Sequence, residues 1–440
     1  MNQNLLNAFC RQRRLVIWLA GLGGTARLVG GAEPAPGGTG TPPVVLDALV
    51  SNVLERNPEL NFYRAEIAAA KGERRTAGTL ANPEVSATLG NKRVSGFGDG
   101  VAWSVSAQQT IEWPGRVPLR KAIANQQIKL AELGLAQFNA ALAARTRALA
   151  ITLFAAQEKA AATREVADRF QSLREVLVQR DPAGLTPTLE TRIIEATELT
   201  LHRRASEAAT AEQATLLELN QLRGRPLTET LRLQRPALSL PPAPDTVALQ
   251  AAALTNNFEL QMRRAELEQQ GFKVSLAKNE RNPAFSVGPY VSQERTGDRE
   301  TQIGVGVTVP LPLWSRNKGG IETASARQQQ AATSMLVTQR QIEREVAEKS
   351  MRYQAKLAEM GKWRPDSIEK FQEAAALADR HYRLGAVPIA TYVELQKQYL
   401  EAVEALLDTR TEALEAGHQL ELLTGVSLSI TSMPAMEEKK

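Results

Sequence analysis

The stretch NPELNFYRAEI, residues 57–67, recurs in altered form as NFELQMRRAEL at residues 257–267. Asparagine, leucine, arginine, alanine and both glutamates keep their places at an offset of 200 positions. The pairs Asn82-Pro83 and Asn282-Pro283 have the same offset. A repeat at a fixed spacing indicates an internal duplication. We therefore expect two similar halves in this chain of 440 residues, although length alone would suggest about three domains.

Each half contains the same succession of patterns. A helical segment, from about Leu46 to Gly78 and again from about Val247 to Asn279, ends near an Asn-Pro pair, where proline stops a helix. Two alternating strands around a turn follow, then a long helix, a short turn and a returning helix that ends at glycine. The predicted fold is mostly α with a small β part, built from duplicated helix-hairpin-long helix-returning helix halves.

The boundaries of these halves follow from the same patterns. The first repeat is expected over residues 46–234 with a β-hairpin at 84–112, and the second over 247–428 with a β-hairpin at 284–309. The Pro-rich residues 235–246 are expected to link the repeats, and residues 429–440 to form a C-terminal tail.

Residues 1–32 have the pattern of a secretory signal peptide, with a basic start, a short apolar run and a small-residue end. A membrane anchor is the alternative, but the apolar run is shorter than the ~20 residues of a spanning helix. Removing the four arginines of this segment lowers the net charge from +5 to +1, which removes the case for nucleic-acid binding. Cys10, the only cysteine, lies within it. Residues 33–45 are expected to form a flexible leader.

The helix after the first hairpin is predicted to be unusually long. No proline occurs between Pro118 and Pro182, and ~60 helical residues would span on the order of 90 Å, whereas an average helix has about 11–12 residues. Such a helix needs partners along its length. The corresponding run of the second repeat contains Gly361 and Pro365, so we expect a break there.

The strands alternate between apolar and small polar residues. Val101, Trp103 and Val105 fall on one face, and Ser104 and Ser106 on the other. This is typical of a membrane-barrel strand, but on its own it fits a hairpin on a soluble core equally well; the long helix favours the barrel. Four strands cannot close in a membrane. Two copies would give a filled eight-stranded barrel, whereas three would give twelve strands and a lumen, so a membrane location predicts a trimer.

Several motifs in this order carry a resemblance to a known family. They are the duplicated asparagine-led start, the Asn-Pro pairs, Trp113-Pro-Gly-Arg116 and Tyr382-Arg-Leu-Gly385. Together they make residues 46–428 resemble the TolC family of outer-membrane efflux proteins. The run Gln109-Thr-Ile-Glu-Trp-Pro-Gly-Arg116 is most similar to the cobalt-zinc-cadmium efflux subgroup.

The resemblance implies a homotrimer with four strands per chain. Its twelve-stranded β-barrel would lie in the outer membrane of a Gram-negative bacterium, in contact with lipid, and continue as an α-helical barrel in the periplasm. It also implies two protein partners, a periplasmic adaptor (membrane fusion) protein and an inner-membrane pump of the resistance-nodulation-division (RND) class. The expected function is a passive exit duct for a tripartite efflux system, exporting heavy-metal cations.

The resemblance also assigns roles to the helix turns. Arg383, Leu384, Gly385 and Ala386 lie where the family docks its adaptor, and Gly184 is the counterpart of Gly385; a plain helix turn is the alternative. Candidates for the periplasmic aperture, where carboxylates would attract cations, are Glu394, Glu190 and Asp181. A solvated helix face explains these acids equally well. Val387 and Thr391 stand where the family has more polar or charged groups.

The ends of the strands supply two further groups of candidates. Pro114, Pro310 and Pro312 lie at the strand-to-helix junctions, where a fixed φ suits a change of direction. Trp103, Trp113 and Trp314 flank the strands and would suit a membrane interface, although ordinary packing accounts for them equally well.

No catalytic chemistry is readable in the sequence. His202, His381 and His418 are isolated and have no cysteine partners, so we expect no resident metal, no cofactor and no enzymatic activity. Two alternatives to the metal-exporting channel stay open at this point. The same channel would serve drug efflux or type I protein secretion, or the chain would be a secreted periplasmic coiled-coil scaffold without a transport role.

Overall fold

A computed structural model describes residues 44–96, 98–180, 188–234, 240–242, 244–296, 298–364 and 367–428. The predicted signal peptide and C-terminal tail, and most of the predicted leader, lie outside these ranges.

The first repeat contains α1 (Leu46–Arg56), α2 (Leu60–Ala77), β1 (Glu84–Val94), β2 (Gly98–Ile111), α3 (Arg116–Arg180) and α4 (Thr188–Leu222). The second contains α5 (Thr246–Asn256), α6 (Phe258–Asn279), β3 (Phe285–Thr296), β4 (Asp298–Thr308), α7 (Lys318–Met360), α8 (Ser367–Arg383) and α9 (Ile389–Thr424). The predicted fold class, mostly helical with a small β part and a duplicated order of elements, is confirmed.

The first helical segment of each repeat differs from the prediction, because it consists of two helices. The break falls at Asn57 and at Asn257, which share the same extended backbone, φ −62° and ψ 123°. Pro58, which cannot donate to a helix, explains the first break. No proline follows Asn257; there the asparagine oxygen accepts a hydrogen bond from Leu260 N and caps α6.

The long helices form the body of the molecule. Helix α3 has 65 residues and is therefore about 100 Å long; it contacts α1, α2, α4, α6 and α9. The second long helix is interrupted after Met360 and resumes at Ser367, as Gly361 and Pro365 predict. The largest core cluster joins α3, α4, α8 and α9 around the fully buried Phe170 and Tyr392.

The two predicted hairpins join into one antiparallel sheet in the order β1-β2-β3-β4. Val105 of β2 pairs with Val291 of β3, so each repeat contributes one hairpin to a shared surface. The strands reach further toward the tips than predicted, since β2 begins at Gly98 rather than Val101. In the described part of the chain, the outer edges of β1 and β4 have no partner strand.

Among the residues that the structure describes, none of the helices combines the length and the apolar character that a membrane-spanning helix requires.

Candidate functional site

The sheet has one apolar face. In register across the strands, Val105 lies beside Ala87 of β1 and Val291 of β3, and Val291 lies beside Ile303 of β4. The larger apolar side chains of this face are exposed in the single chain: Val85, Leu89, Val101, Trp103, Val105, Ile303, Val305 and Val307. An exposed apolar surface of this extent marks contact with a partner or with lipid.

The opposite face is small and polar. Hydroxyl groups pair across the strands, Ser86 with Ser106 at 2.8 Å and Thr88 with Ser104 at 2.6 Å. Because side chains alternate along a strand, Ser104 and Ser106 of this face alternate with Trp103 and Val105 of the other. The sheet therefore has one apolar face and one hydrophilic face.

Charged side chains occupy the ends of the strands nearest the hairpin tips. Lys92 on β1 forms an ion pair with Glu294 on β3, and Glu300 of β4 lies opposite Glu294 in the register. Arg93 donates two hydrogen bonds to the carboxylate of Asp99. Between the tips and the helices, the described strands contain one charged residue, Glu84 at the start of β1. The tips are therefore the charged end of the sheet.

The strand-to-helix junction of the first repeat is held by the second repeat. The carbonyl oxygen of Pro114 accepts a hydrogen bond of 2.9 Å from Asn279 Nδ2, at the end of α6. Arg116, the first residue of α3, donates to the carbonyl oxygens of Asn279 and Asn282. These bonds fix the direction in which the long helix leaves the sheet.

The second junction is more open. Pro310 is exposed and Pro312 half-buried between β4 and α7, and Asn317 anchors the start of α7 by donating a 2.9 Å hydrogen bond to Ala277 O. Trp314, 95% exposed, and Trp113, also exposed, lie at the helix side of the sheet.

Trp103 lies elsewhere. It lies on the apolar face, in the half of β2 nearer the tips, and its indole Nε1 donates a hydrogen bond of 3.2 Å to Gln293 Oε1 on β3. The three tryptophans therefore fall at two levels of the sheet, one toward the tips and one toward the helices.

The helix turn between α8 and α9 forms a tight reversal. Gly385 has φ +73°, a conformation that glycine adopts without strain, and Ala386 N donates to His381 O at 2.9 Å. Leu384 stands at the apex with 76% of its surface exposed. Arg383 donates from Nε to Asp379 Oδ2 at 2.9 Å. The turn thus presents an apolar tip on a fixed base.

Tyr392 supports this turn from within the helix pair. Its ring is fully buried, stacks on Tyr382 and lies 5.1 Å from Phe170, and its hydroxyl donates to Asp379 Oδ1 at 3.2 Å. Burial, together with the charge of Asp379, raises the pKa of the Tyr392 phenol. Asp379 therefore links the Tyr392 hydroxyl to the Arg383 guanidinium.

Four of the six predicted turn residues that the structure describes line one cavity of about 640 Å³: Glu190, Arg383, Gly385 and Ala386. Burial and the nearby Glu190 carboxylate raise the pKa of Tyr382, which also lines this cavity.

Not every predicted residue of the turns joins this group. Glu394 is exposed on α9 and accepts a hydrogen bond of 2.9 Å from Gln398. Leu384 does not line the cavity. Asp181 and Gly184 lie outside the described residues.

Sequence reasoning missed Asp379 and Tyr392, the two residues that support the turn. They are 13 residues apart, on opposite sides of the turn. In the sequence, each occupies what looks like an ordinary position of an amphipathic helix. It also missed Asn279, whose partner Pro114 lies 165 positions away. In the described ranges, no group of three or more His, Cys, Asp or Glu side chains could hold a metal ion.

Part of the chain matches a known protein family. Residues 249–426 match the outer membrane efflux protein family. The chain is 23% identical to the pyoverdine export outer membrane protein OpmQ of Pseudomonas aeruginosa, over 84% of this chain and 83% of that protein. It is 25% identical to the cobalt-zinc-cadmium resistance protein CzcC of Cupriavidus metallidurans, over 64% of this chain and 66% of that protein.

The fold is shared with solved outer-membrane channels. A membrane protein from Pseudomonas aeruginosa superimposes with a TM-score of 0.72 at 20% identity, covering 86% of this chain and 93% of that one. CusC, whose structures concern transmembrane channel formation, gives a TM-score of 0.69 at 14% identity, covering 87% of this chain and 92% of that one.

The two-faced sheet on long paired helices is therefore the fold that solved outer-membrane channels share. The second repeat matches the outer membrane efflux protein family over residues 249–426, and both repeats share their fold with solved channels. The matched family and the shared fold are those of outer-membrane channels rather than of enzymes.

Proposed function

We propose that three copies of this chain form the exit channel of a tripartite efflux system. The observation that carries the proposal is the four-stranded sheet, which among the described residues has two unpaired edges and one exposed apolar face. Backbone groups at a sheet edge cannot stay unpaired in lipid. Pairing β4 of one copy with β1 of the next satisfies both edges, and three copies give the twelve strands that leave a lumen.

The polar face of the sheet would line that lumen. Its serine, threonine and glycine residues are small, so they leave room for a passing solute. Near the tips, Glu294 and Glu300 outnumber Lys92 on this face, and acidic rings in a pore favour cations. We infer that heavy-metal cations are the cargo, supported by the similarity to CzcC, a cobalt-zinc-cadmium resistance protein.

A second cargo has one specific observation in its favour. The match to OpmQ, a pyoverdine export protein, covers 84% of this chain, more than the match to CzcC. An organic metal chelator is therefore the second candidate.

The turn between α8 and α9 is the proposed docking site for a periplasmic adaptor, with an RND pump of the inner membrane as the energy source. The exposed Leu384 offers an apolar contact, and Asp379 holds Arg383 beside it. Glu190, on the cavity at this turn, and Glu394, one to two helical turns further along α9, are the aperture candidates among the described residues.

Two measurements test this function. The purified protein, reconstituted in planar bilayers, is expected to conduct ions with a preference for cations; a protein that dissolves without detergent and never conducts would instead be a periplasmic scaffold. A deletion strain complemented with the chain is expected to regain resistance to zinc, cobalt or cadmium. Restored chelator secretion without metal resistance would favour the second cargo.

A further inference from the structure

The apolar face of the sheet ends in a group of arginines toward the hairpin tips. Arg295 of β3 lies directly opposite Arg299 of β4, and Val101 of β2 lies on the other side of Arg295. Arg93 of β1 falls on the same face by the alternation of side chains along the strand. Each chain therefore carries three cations immediately beyond its band of valine, leucine and isoleucine.

Two of these arginines lack an acidic partner. Arg93 is paired with Asp99, the only acid on this face. Arg295 and Arg299 are exposed and form no ion pair with any residue that the structure describes. Like charges directly opposite each other in a sheet are destabilising. The nearby acids, Glu294 and Glu300, alternate onto the polar face, so neutralisation must come from outside the chain.

Arg295 and Arg299 lie at the height expected of lipid headgroups above the apolar band of the sheet. Arg299 precedes Ile303, the first exposed apolar residue of β4, by four positions, which is ~13 Å along a strand and about 10 Å of height at the tilt of barrel strands. Headgroups begin within that distance of the hydrocarbon core. Trp103 donates a hydrogen bond to Gln293, which precedes Arg295 by two residues on the same face. Trp103 is therefore close to the height of the membrane interface, where tryptophan is enriched.

We propose that Arg295 and Arg299, flanked by Arg93, bind the phosphate groups of outer-leaflet lipids. The proposal rests on the proposed channel, which directs the apolar face to lipid and the hairpin tips outward. A planar guanidinium donates two parallel hydrogen bonds to a phosphate, so two facing arginines can hold one phosphate between them. The phosphate in turn removes the repulsion between the paired arginines and fixes the height of the sheet in the bilayer.

The test uses the full-length protein in lipid nanodiscs, with lipid A as the phosphorylated glycolipid. The variants are Arg295→Gln/Arg299→Gln, which removes both cations, and Arg295→Lys/Arg299→Lys, which keeps charge but not the two-pronged geometry. The matched control is Arg327→Gln/Arg340→Gln, which removes two exposed arginines of helix α7. Native mass spectrometry counts the lipid A molecules retained on each, with dephosphorylated lipid A and inorganic phosphate alone as comparison ligands.

The glutamine pair is expected to weaken lipid A retention at least about tenfold, the lysine pair to lose less, and the α7 control to retain as much as the wild type. Dephosphorylated lipid should bind every variant alike. The proposal is overturned if the glutamine pair retains lipid A normally, or if the α7 control loses as much. It is also overturned if inorganic phosphate alone binds as tightly as lipid A, since the site would then take a free anion. Conductance of the same preparations distinguishes failure of the lipid site from failure of the proposed channel. Variants that conduct and retain lipid A as the wild type does would reject only the lipid site. Absence of conductance would reject the channel.

Discussion

The side-chain amide of Asn57 donates a hydrogen bond of 3.2 Å to the carbonyl oxygen of Leu222, 165 positions away at the end of the same repeat. The second repeat contains the same contact, since Asn257 Nδ2 donates to Leu423 O at 3.1 Å. Both asparagines are buried and break a helix. Each therefore ties the start of its repeat to the end of the returning helix.

Replacing either asparagine by alanine is expected to destabilise the protein. The Asn57→Ala variant leaves the carbonyl of Leu222 without this donor and removes the acceptor for Glu59 N, which should cost about 1–3 kcal/mol. Thermal unfolding in detergent measures the loss, with Asn61→Ala on the exposed side of α2 as a control that should stay near wild type. Equal melting of the two variants would refute the role of Asn57.

The glycines that end the returning helices should tolerate alanine poorly. Gly425 has φ +67°, and a Cβ there would lie 2.8 Å from the Cβ of Asn256, so Gly425→Ala should cost more than the about 1–2 kcal/mol of the left-handed backbone alone. Gly224, φ +61° with 3.3 Å to Arg56 O, should cost less than Gly425. In contrast, Gly72 lies in a helix with open space around it, and Gly72→Ala should stabilise by about 0.5–1 kcal/mol. Unfolding curves showing the same sign for all three would contradict this ranking.

The fold could be predicted from local patterns because the duplication repeats them. The glycine caps at Gly224 and Gly425 follow from their places at the ends of periodic segments. Asn57 and Asn257 were visible in the repeat, but their role was not, because the carbonyls they bind lie more than 160 positions away. Neither break was predicted: Pro58 marks the first in the sequence, but no proline marks the break at Asn257.

Only part of the candidate site could be predicted from the sequence, because it also depends on contacts between separate elements. Gly385 marks a turn by its residue type, whereas Tyr392 and Asp379 become recognisable only when α8 and α9 pack together. Alternation predicted the two faces of each hairpin, but the pairing of Val105 with Val291 joins strands of different repeats. No local pattern specifies that contact.

Stability should depend on pH through Glu421. This carboxylate accepts hydrogen bonds from His418 Nδ1 at 2.8 Å and Leu428 N at 2.7 Å. Burial by itself would raise the pKa of Glu421, but these two bonds and the charge of His418 outweigh it, so the pKa lies below its ordinary 4.5. A carboxyl with a lowered folded pKa stabilises the fold above the unfolded value, and this contribution is lost as the pH falls through the folded pKa.

The Glu421→Gln variant is therefore expected to unfold more easily at pH 7, by about 1 kcal/mol. Its difference from wild type should shrink as the pH falls below about 4.5. The control is Glu415→Gln, a change on the exposed side of the same helix. A difference that stays constant between pH 7 and pH 3 would show that the charge of Glu421 contributes nothing.

The Asp379→Ala variant tests how the proposed docking turn between α8 and α9 is held. It releases both Arg383 and the hydroxyl of Tyr392, and loss of a charged hydrogen-bond acceptor should weaken adaptor binding about tenfold. Conductance in planar bilayers should stay at the wild-type level, because the turn lies far along the helices from the sheet. Asp408→Ala, which removes an aspartate paired with Lys159, is the matched control for adaptor binding. Normal adaptor binding by Asp379→Ala would mean that this carboxylate does not position the turn.

Two neighbouring residues of β2 should respond in opposite ways to the same substitution. Val105 lies on the apolar face and Ser106 on the polar face, where it bonds to Ser86. An arginine at Val105 would enter the hydrocarbon at a cost of about 2–4 kcal/mol, so Val105→Arg should be depleted from the outer-membrane fraction. Ser106→Arg would face the lumen; it should insert normally and reduce the preference of the channel for cations. Because the two changes add the same side chain one residue apart, a difference in insertion reports which face meets lipid. Equal insertion of both variants would show that the apolar face does not contact lipid. That result would contradict the proposed barrel of three sheets.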